Sequence, residues 1–67
     1  MSHYDTLEVV SHASAETIRA AYRSLMQRHH PDKHPGEAAM AARAAQLTQA
    51  YEVLSEPARR AAYDQGL

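Results

Sequence analysis

Between residues 15 and 29 the apolar and ring-bearing side chains Ile18, Tyr22, Leu25, Met26 and His29 recur at offsets 0, 4, 7, 8 and 11. That period places them on one face of a helix, and Ala21 widens the stripe. Ser14 can act as N-cap by accepting from a free first-turn amide, and Glu16 lies near the positive end of the helix dipole. A second stripe, Leu47, Ala50, Tyr51 and Leu54, extends backward by helical steps through Ala44 to Met40. The chain from Glu37 to Leu54 holds no glycine or proline and is dense in alanine, the residue that enters a helix at least conformational cost. The patterning predicts helices over about 15–29 and 37–54.

Two shorter elements flank them. Tyr4, Leu7, Val9 and Val10 suit a brief helical turn, about residues 4–8, that covers one end of a core. Ser55-Glu56-Pro57 ends the second long helix and starts a short one over about 57–64, because proline is tolerated in a helix's first turn. On that last helix Ala61, Ala62 and Tyr63 are expected to cap the hairpin, and Gly66 to release the chain. No strand pattern is present, so the expected class is all-α: an antiparallel hairpin of two long helices with a short helix at each end, one domain over 1–67.

The break between the long helices carries the chemistry. Proline lacks an N–H and pushes its predecessor out of the α region, so the first long helix must stop near His29 or His30. The loop over 30–36 then presents His30, Pro31, Asp32 and Lys33 at the tip of the hairpin, and Pro35-Gly36 is a second breaker pair. Before it, Arg19 and Arg23 lie four residues apart and are surface neighbours, with Gln27 and Arg28 expected to continue the basic face.

Charge sharpens this picture. The formal net charge of the 67 residues is −1. Within 14–34, however, Arg19, Arg23, Arg28 and Lys33 face only Glu16 and Asp32, leaving that stretch net positive and the remainder net acidic. A partner drawn by charge should therefore be acidic and should meet the first long helix. No cysteine is present, which removes disulfides and thiolate zinc sites, and packing alone must hold a fold worth on the order of a few kcal/mol. No apolar run approaches the roughly 20 residues that span a bilayer.

The blocks Tyr4-Asp5-Thr6-Leu7-Glu8-Val9, Ile18-Arg19-Ala20-Ala21-Tyr22-Arg23, His30-Pro31-Asp32, Ala50-Tyr51-Glu52-Val53-Leu54-Ser55 and Arg59-Arg60-Ala61-Ala62-Tyr63-Asp64 stand in register. Together they resemble the J domain of the DnaJ co-chaperone family over nearly the whole chain. The resemblance implies a module that binds a DnaK-type heat-shock ATPase on an acidic surface near its interdomain linker and stimulates ATP hydrolysis, without catalysis or cofactor of its own. It further implies that His30, Pro31 and Asp32 trigger hydrolysis. Lys33, Arg19, Tyr22, Arg23 and Arg28 would lie on or beside the docking surface. A monomer in the cytoplasm, without nucleic-acid or membrane contact, is expected. Three positions depart from the family's pattern: His29 where an aromatic residue commonly precedes the motif, Ala44 where many members carry phenylalanine, and Ser24 in place of a basic residue.

Two other readings compete. His29, His30, Asp32 and His34 fall within six residues and suggest a zinc or nickel site, although a proline turn converges three side chains poorly. Helix, turn and helix with arginines suggests a nucleic-acid module. Against it, the basic helix precedes the loop, where a recognition helix should follow. No glycine-rich phosphate cradle and no nucleophile with a base and an orienting acid is evident.

Overall fold

The computed structural model describes residues 1–29, 31–33 and 35–66, with Pro31 described by its backbone alone. His30, His34 and Leu67 lie outside the described residues.

The chain opens with a single helical turn, α1 (His3–Thr6). Ser2 caps it reciprocally: its Oγ accepts from the Asp5 amide at 3.1 Å, and its own amide donates to Asp5 Oδ2 at 3.0 Å. These bonds to Ser2, that from the backbone amide first, hold the Asp5 carboxyl below its ordinary value. The turn is shorter than the 4–8 expected because the backbone leaves the helix at Leu7. Glu8 adopts φ +57°, its amide donates to Asp5 O, and the Val9 amide donates to Tyr4 O, both at 3.0 Å. That pair of bonds is a Schellman closure, with glutamate in the position glycine usually takes.

α2 (Ala15–His29) starts where Ser14 Oγ accepts from the Thr17 amide at 3.1 Å. A short 3-10 turn, Pro31–Lys33, follows it. Gly36 (φ +81°) then turns the chain into α3 (Ala38–Leu54), which begins one residue later than the pattern suggests because Glu37 stays extended as N-cap. α4 (Pro57–Gln65) is capped by Glu56, whose carboxylate accepts from the Arg59 amide at 2.8 Å and the Ala58 amide at 3.2 Å. Those two bonds draw the Glu56 carboxyl below its usual range. Gly66 has φ −85°, so the chain leaves α4 without a left-handed residue, unlike the exit the sequence suggests.

α3 is the central element and touches α1, α2, α4 and the 3-10 turn. The buried core joins Tyr4 and Leu7 to Ala13, Ile18 and Leu25 of the α2 side and to Leu47, Ala50 and Leu54 of α3. Each fully buried leucine or isoleucine is worth about 2 kcal/mol, which suits a core this small. Tyr22 and Tyr51 are half-buried and stack with centroids 4.2 Å apart and planes 4° from parallel. Val10 departs from the expected cover: it is 57% exposed, because the turn at Glu8 carries it away from the core.

α4 closes the end remote from the proline turn, through side chains other than those anticipated. Ala61 and Ala62 are exposed, whereas Tyr63 stacks on His3 at 4.6 Å and its hydroxyl accepts from the His3 amide at 2.8 Å. The Tyr4 hydroxyl, 2% exposed as a residue, donates to Asp64 Oδ1 at 2.5 Å and accepts from Arg60 Nε at 3.1 Å. Burial first, then the bond to Asp64, pushes this phenol above its ordinary pKa. Arg60 Nη2 also donates to Ala13 O at 2.7 Å and Ser11 O at 3.3 Å, tying α4 to the segment that leads into α2.

Candidate partner-docking surface

Asp32 and Lys33 are exposed on the turn that interrupts the hairpin. Asp32 also lines a shallow groove between α2 and α3, so its carboxylate stands at the edge of the packed body and not inside it. His30 and the Pro31 side chain fall outside what the structure describes.

Arg19 and Arg23 are exposed on α2 and separated by about 40° around its axis, one shared flank. Tyr22 and Met26 occupy the strip between that flank and α3, and the Tyr22 hydroxyl lies 3.4 Å from Thr48 Oγ1. Arg28 is not part of the same flank. Helical rotation sets it about 180° from Arg19, and it lines a hollow of about 180 Å³ with Leu7, Glu8, Ala21, Ser24 and Leu25, on the α1 side. The continuous basic face suggested by the spacing is therefore divided: Arg19 and Arg23 share one flank of α2, and Arg28 lies on the side of Leu7 and Glu8.

At the end of α2, His29 Nδ1 lies 3.4 Å from Met40 Sδ, so the residue in the place of an aromatic ring still packs against α3. Ala44 is buried at 6% exposure and forms part of the groove's wall with Ala41 and Ala45. Among the described residues, no group of three or more His, Cys, Asp or Glu side chains could hold a metal ion, and no helix is long and apolar enough to cross a membrane.

An acid on a turn after a basic helix, with tyrosine between that helix and its antiparallel neighbour, coincides with a family model. The model of the DnaJ domain matches residues 2–64. The chain belongs to the DnaJ domain family. Among relatives, the chaperone protein DnaJ of Chlamydia pneumoniae is 48% identical over 64 residues, 96% of this chain and 16% of that protein. The chaperone protein DnaJ of Anaplasma marginale (strain Florida) is 47% identical over 62 residues, 92% of this chain and 16% of that protein. That of Gluconacetobacter diazotrophicus is 39% identical over 64 residues, covering 96% of this chain and 17% of the relative. The DnaJ domain thus spans about a sixth of the length of the curated relatives it matches. These likenesses lend no support to a metal-binding or nucleic-acid-binding module.

Sequence reasoning did not find the groove of this DnaJ domain. Its walls are Met26, Asp32, Ala41, Ala44, Ala45, Thr48, Gln49 and Glu52, and its depth comes from methyl groups where larger side chains would fill the space. Alanine is so ordinary in a helix that nothing in the pattern marks these positions.

Proposed function

We propose that this DnaJ domain docks on a DnaK-type heat-shock ATPase and stimulates its ATP hydrolysis, the partner performing the chemistry. The observation that carries the reading is the exposed Asp32 on a short turn directly after α2, whose neighbouring flank presents Arg19 and Arg23. Arginine steers an encounter with an acidic patch and forms fork-like bonds to carboxylates, raising association rate and fixing register. Tyr22 and Lys33 extend that surface, and Arg28, on the far flank, adds to the positive field around the helix. Asp32 is the local exception in sign. A charge-assisted bond from it to one partner arginine, largely desolvated, is worth on the order of 2 kcal/mol. It accelerates hydrolysis to the extent that it is stronger in the partner's hydrolysis-competent state. By their place in the family's motif, His30 and Pro31 act with Asp32 in triggering hydrolysis.

The test is steady-state ATP turnover by the DnaK-type chaperone from the same source, with this domain added. Asp32→Asn is expected to keep helicity and melting temperature while abolishing stimulation, because the exposed carboxylate is exchanged for a neutral isostere. Full stimulation by the variant would refute the role given to Asp32.

A further inference from the structure

We infer that His29 and Met40 form a two-point site for a soft monovalent cation of the copper(I) class, which ties the end of α2 to the start of α3. The site is an added property of the domain and stands apart from the co-chaperone reading, since neither donor belongs to the basic flank or to the turn at Asp32.

Two donor atoms meet there. His29 Nδ1 lies 3.4 Å from Met40 Sδ, and both residues are half-buried. His29 is the last residue of α2 and Met40 stands in the first turn of α3, so two helices hold the pair in place before any ion arrives. Either Nδ1 carries a proton that it donates weakly to sulfur, or the proton sits on Nε2 and a cation takes its place between two lone pairs. The spacing admits that cation. An ion about 2.0 Å from an imidazole nitrogen and about 2.3 Å from a sulfur, the usual lengths for a filled-shell first-row metal, sees donors at this separation about 105° apart. That angle is near tetrahedral and leaves further positions to water or a small thiol.

The donors select the ion. A thioether is a soft, neutral ligand that suits copper(I), whereas magnesium and calcium want oxygen and zinc sites are built from imidazole, thiolate and carboxylate. From residue 28 to residue 40 the cations Arg28 and Lys33 balance Asp32 and Glu37, so no excess of carboxylate draws a hard divalent ion to the pair. The chain has no cysteine, so no thiolate of its own competes for a soft ion. His29 and Met40 also bracket the turn Pro31–Lys33. A bound ion closes that loop and stabilises the folded domain, because the unfolded chain does not hold the two donors together.

The test titrates the whole domain with silver(I) nitrate in chloride-free buffer, silver(I) being a filled-shell monovalent probe that air does not oxidise, and repeats the titration anaerobically with copper(I) in acetonitrile. NMR signals of the methionine methyl groups and histidine rings report the site, with Met1 and Met26 as internal controls. One equivalent of either ion is expected to shift the Met40 methyl and the His29 ring ahead of Met1 and Met26, and to raise the melting temperature by a few degrees. Met40→Leu keeps the apolar volume and His29→Tyr keeps a ring, each removing one donor while leaving His30 and His34 in place. Each is expected to weaken binding at least tenfold, and if a variant unfolds the order of shifts in the parent carries the test. Shifts that begin at Met1 or Met26, or unchanged affinity in either variant, overturn the inference. A response to silver(I) without one to copper(I) overturns the assigned ion. Zinc nitrate at the same concentration is expected to leave the Met40 methyl signal in place, and a shift as large as that with silver(I) would overturn the preference for a soft ion.

Discussion

Glu8 is held at φ +57°, a backbone that costs a side chain with a Cβ about 1 kcal/mol or more. What the glutamate gains in return is small. Arg43 Nη2 lies 3.7 Å from Glu8 Oε2, and the Glu8 side chain is 60% exposed, so the pair is worth at most about 1 kcal/mol. Arg43 has a better anchor in Thr6 O, 3.0 Å from the same nitrogen, and that bond does not depend on residue 8. Glu8→Gly is therefore expected to stabilise the fold by about 0.5–1 kcal/mol, raising the melting temperature by a few degrees, roughly 2–6 °C. Glu8→Ala separates strain from charge: it keeps the Cβ and loses the carboxylate, and should melt no higher than the parent. If thermal melts rank alanine level with glycine, the left-handed backbone is not the cause. Nothing in the sequence announces this strain, because glutamate is not a residue that marks a left-handed turn.

Among the elements, α4 shows most clearly what was legible in the chain. Its existence follows from Ser55-Glu56-Pro57, just as the long helices follow from their stripes and the stop between them from Pro31. Its attachment does not follow, because Arg60 and Asp64 meet Tyr4 from across the whole sequence, and no local pattern encodes a bond over that separation. The groove was hidden for a related reason, being made of small side chains. Arg28, by contrast, was read into the basic face although nine residues of helix already set it about 180° from Arg19, and the structure places it beside Leu7 and Glu8. The N-terminal cap of α4 has a pH signature. Bonds from the Arg59 and Ala58 amides lower the Glu56 carboxyl pKa from 4.5. The unfolded chain then takes up that proton before the folded one does, so the cap's contribution is present above the ordinary glutamate pKa and is lost as pH falls through the lowered folded value. In melts from about pH 6 down to about pH 3, Glu56→Gln should start less stable than the parent, and the gap should close on acidification. A gap that stays constant with pH would show that the charge of Glu56 does not support the cap.

For the molecule as a whole, the net charge of −1 conceals the field that matters for encounter. Arg19, Arg23, Arg28 and Lys33 leave α2 and the turn after it net positive, whereas Asp5, Glu8, Glu37, Glu52, Glu56 and Asp64 outnumber Arg43, Arg59 and Arg60 over the remainder. An acidic partner is thus drawn toward one side of the domain and turned away from the others, an effect that acts on association rate and fades as salt shortens the Debye length to about 8 Å. The division of the basic face makes this testable by position and not merely by total charge. Arg23→Glu and Arg28→Glu change the net charge equally, but Arg23 stands on the flank it shares with Arg19 and Arg28 on the α1 side. In stopped-flow association with the DnaK-type chaperone at low salt, Arg23→Glu should slow binding by about tenfold and flatten its salt dependence. Arg28→Glu should slow it distinctly less, because the lost charge lies away from the approaching acidic surface. Equal effects from the two would mean that overall charge governs the encounter and that the flank carrying Arg19 and Arg23 has no special part in it. No effect from either would remove steering from the mechanism altogether and leave short-range contacts such as that proposed for Asp32 to set the affinity through dissociation alone.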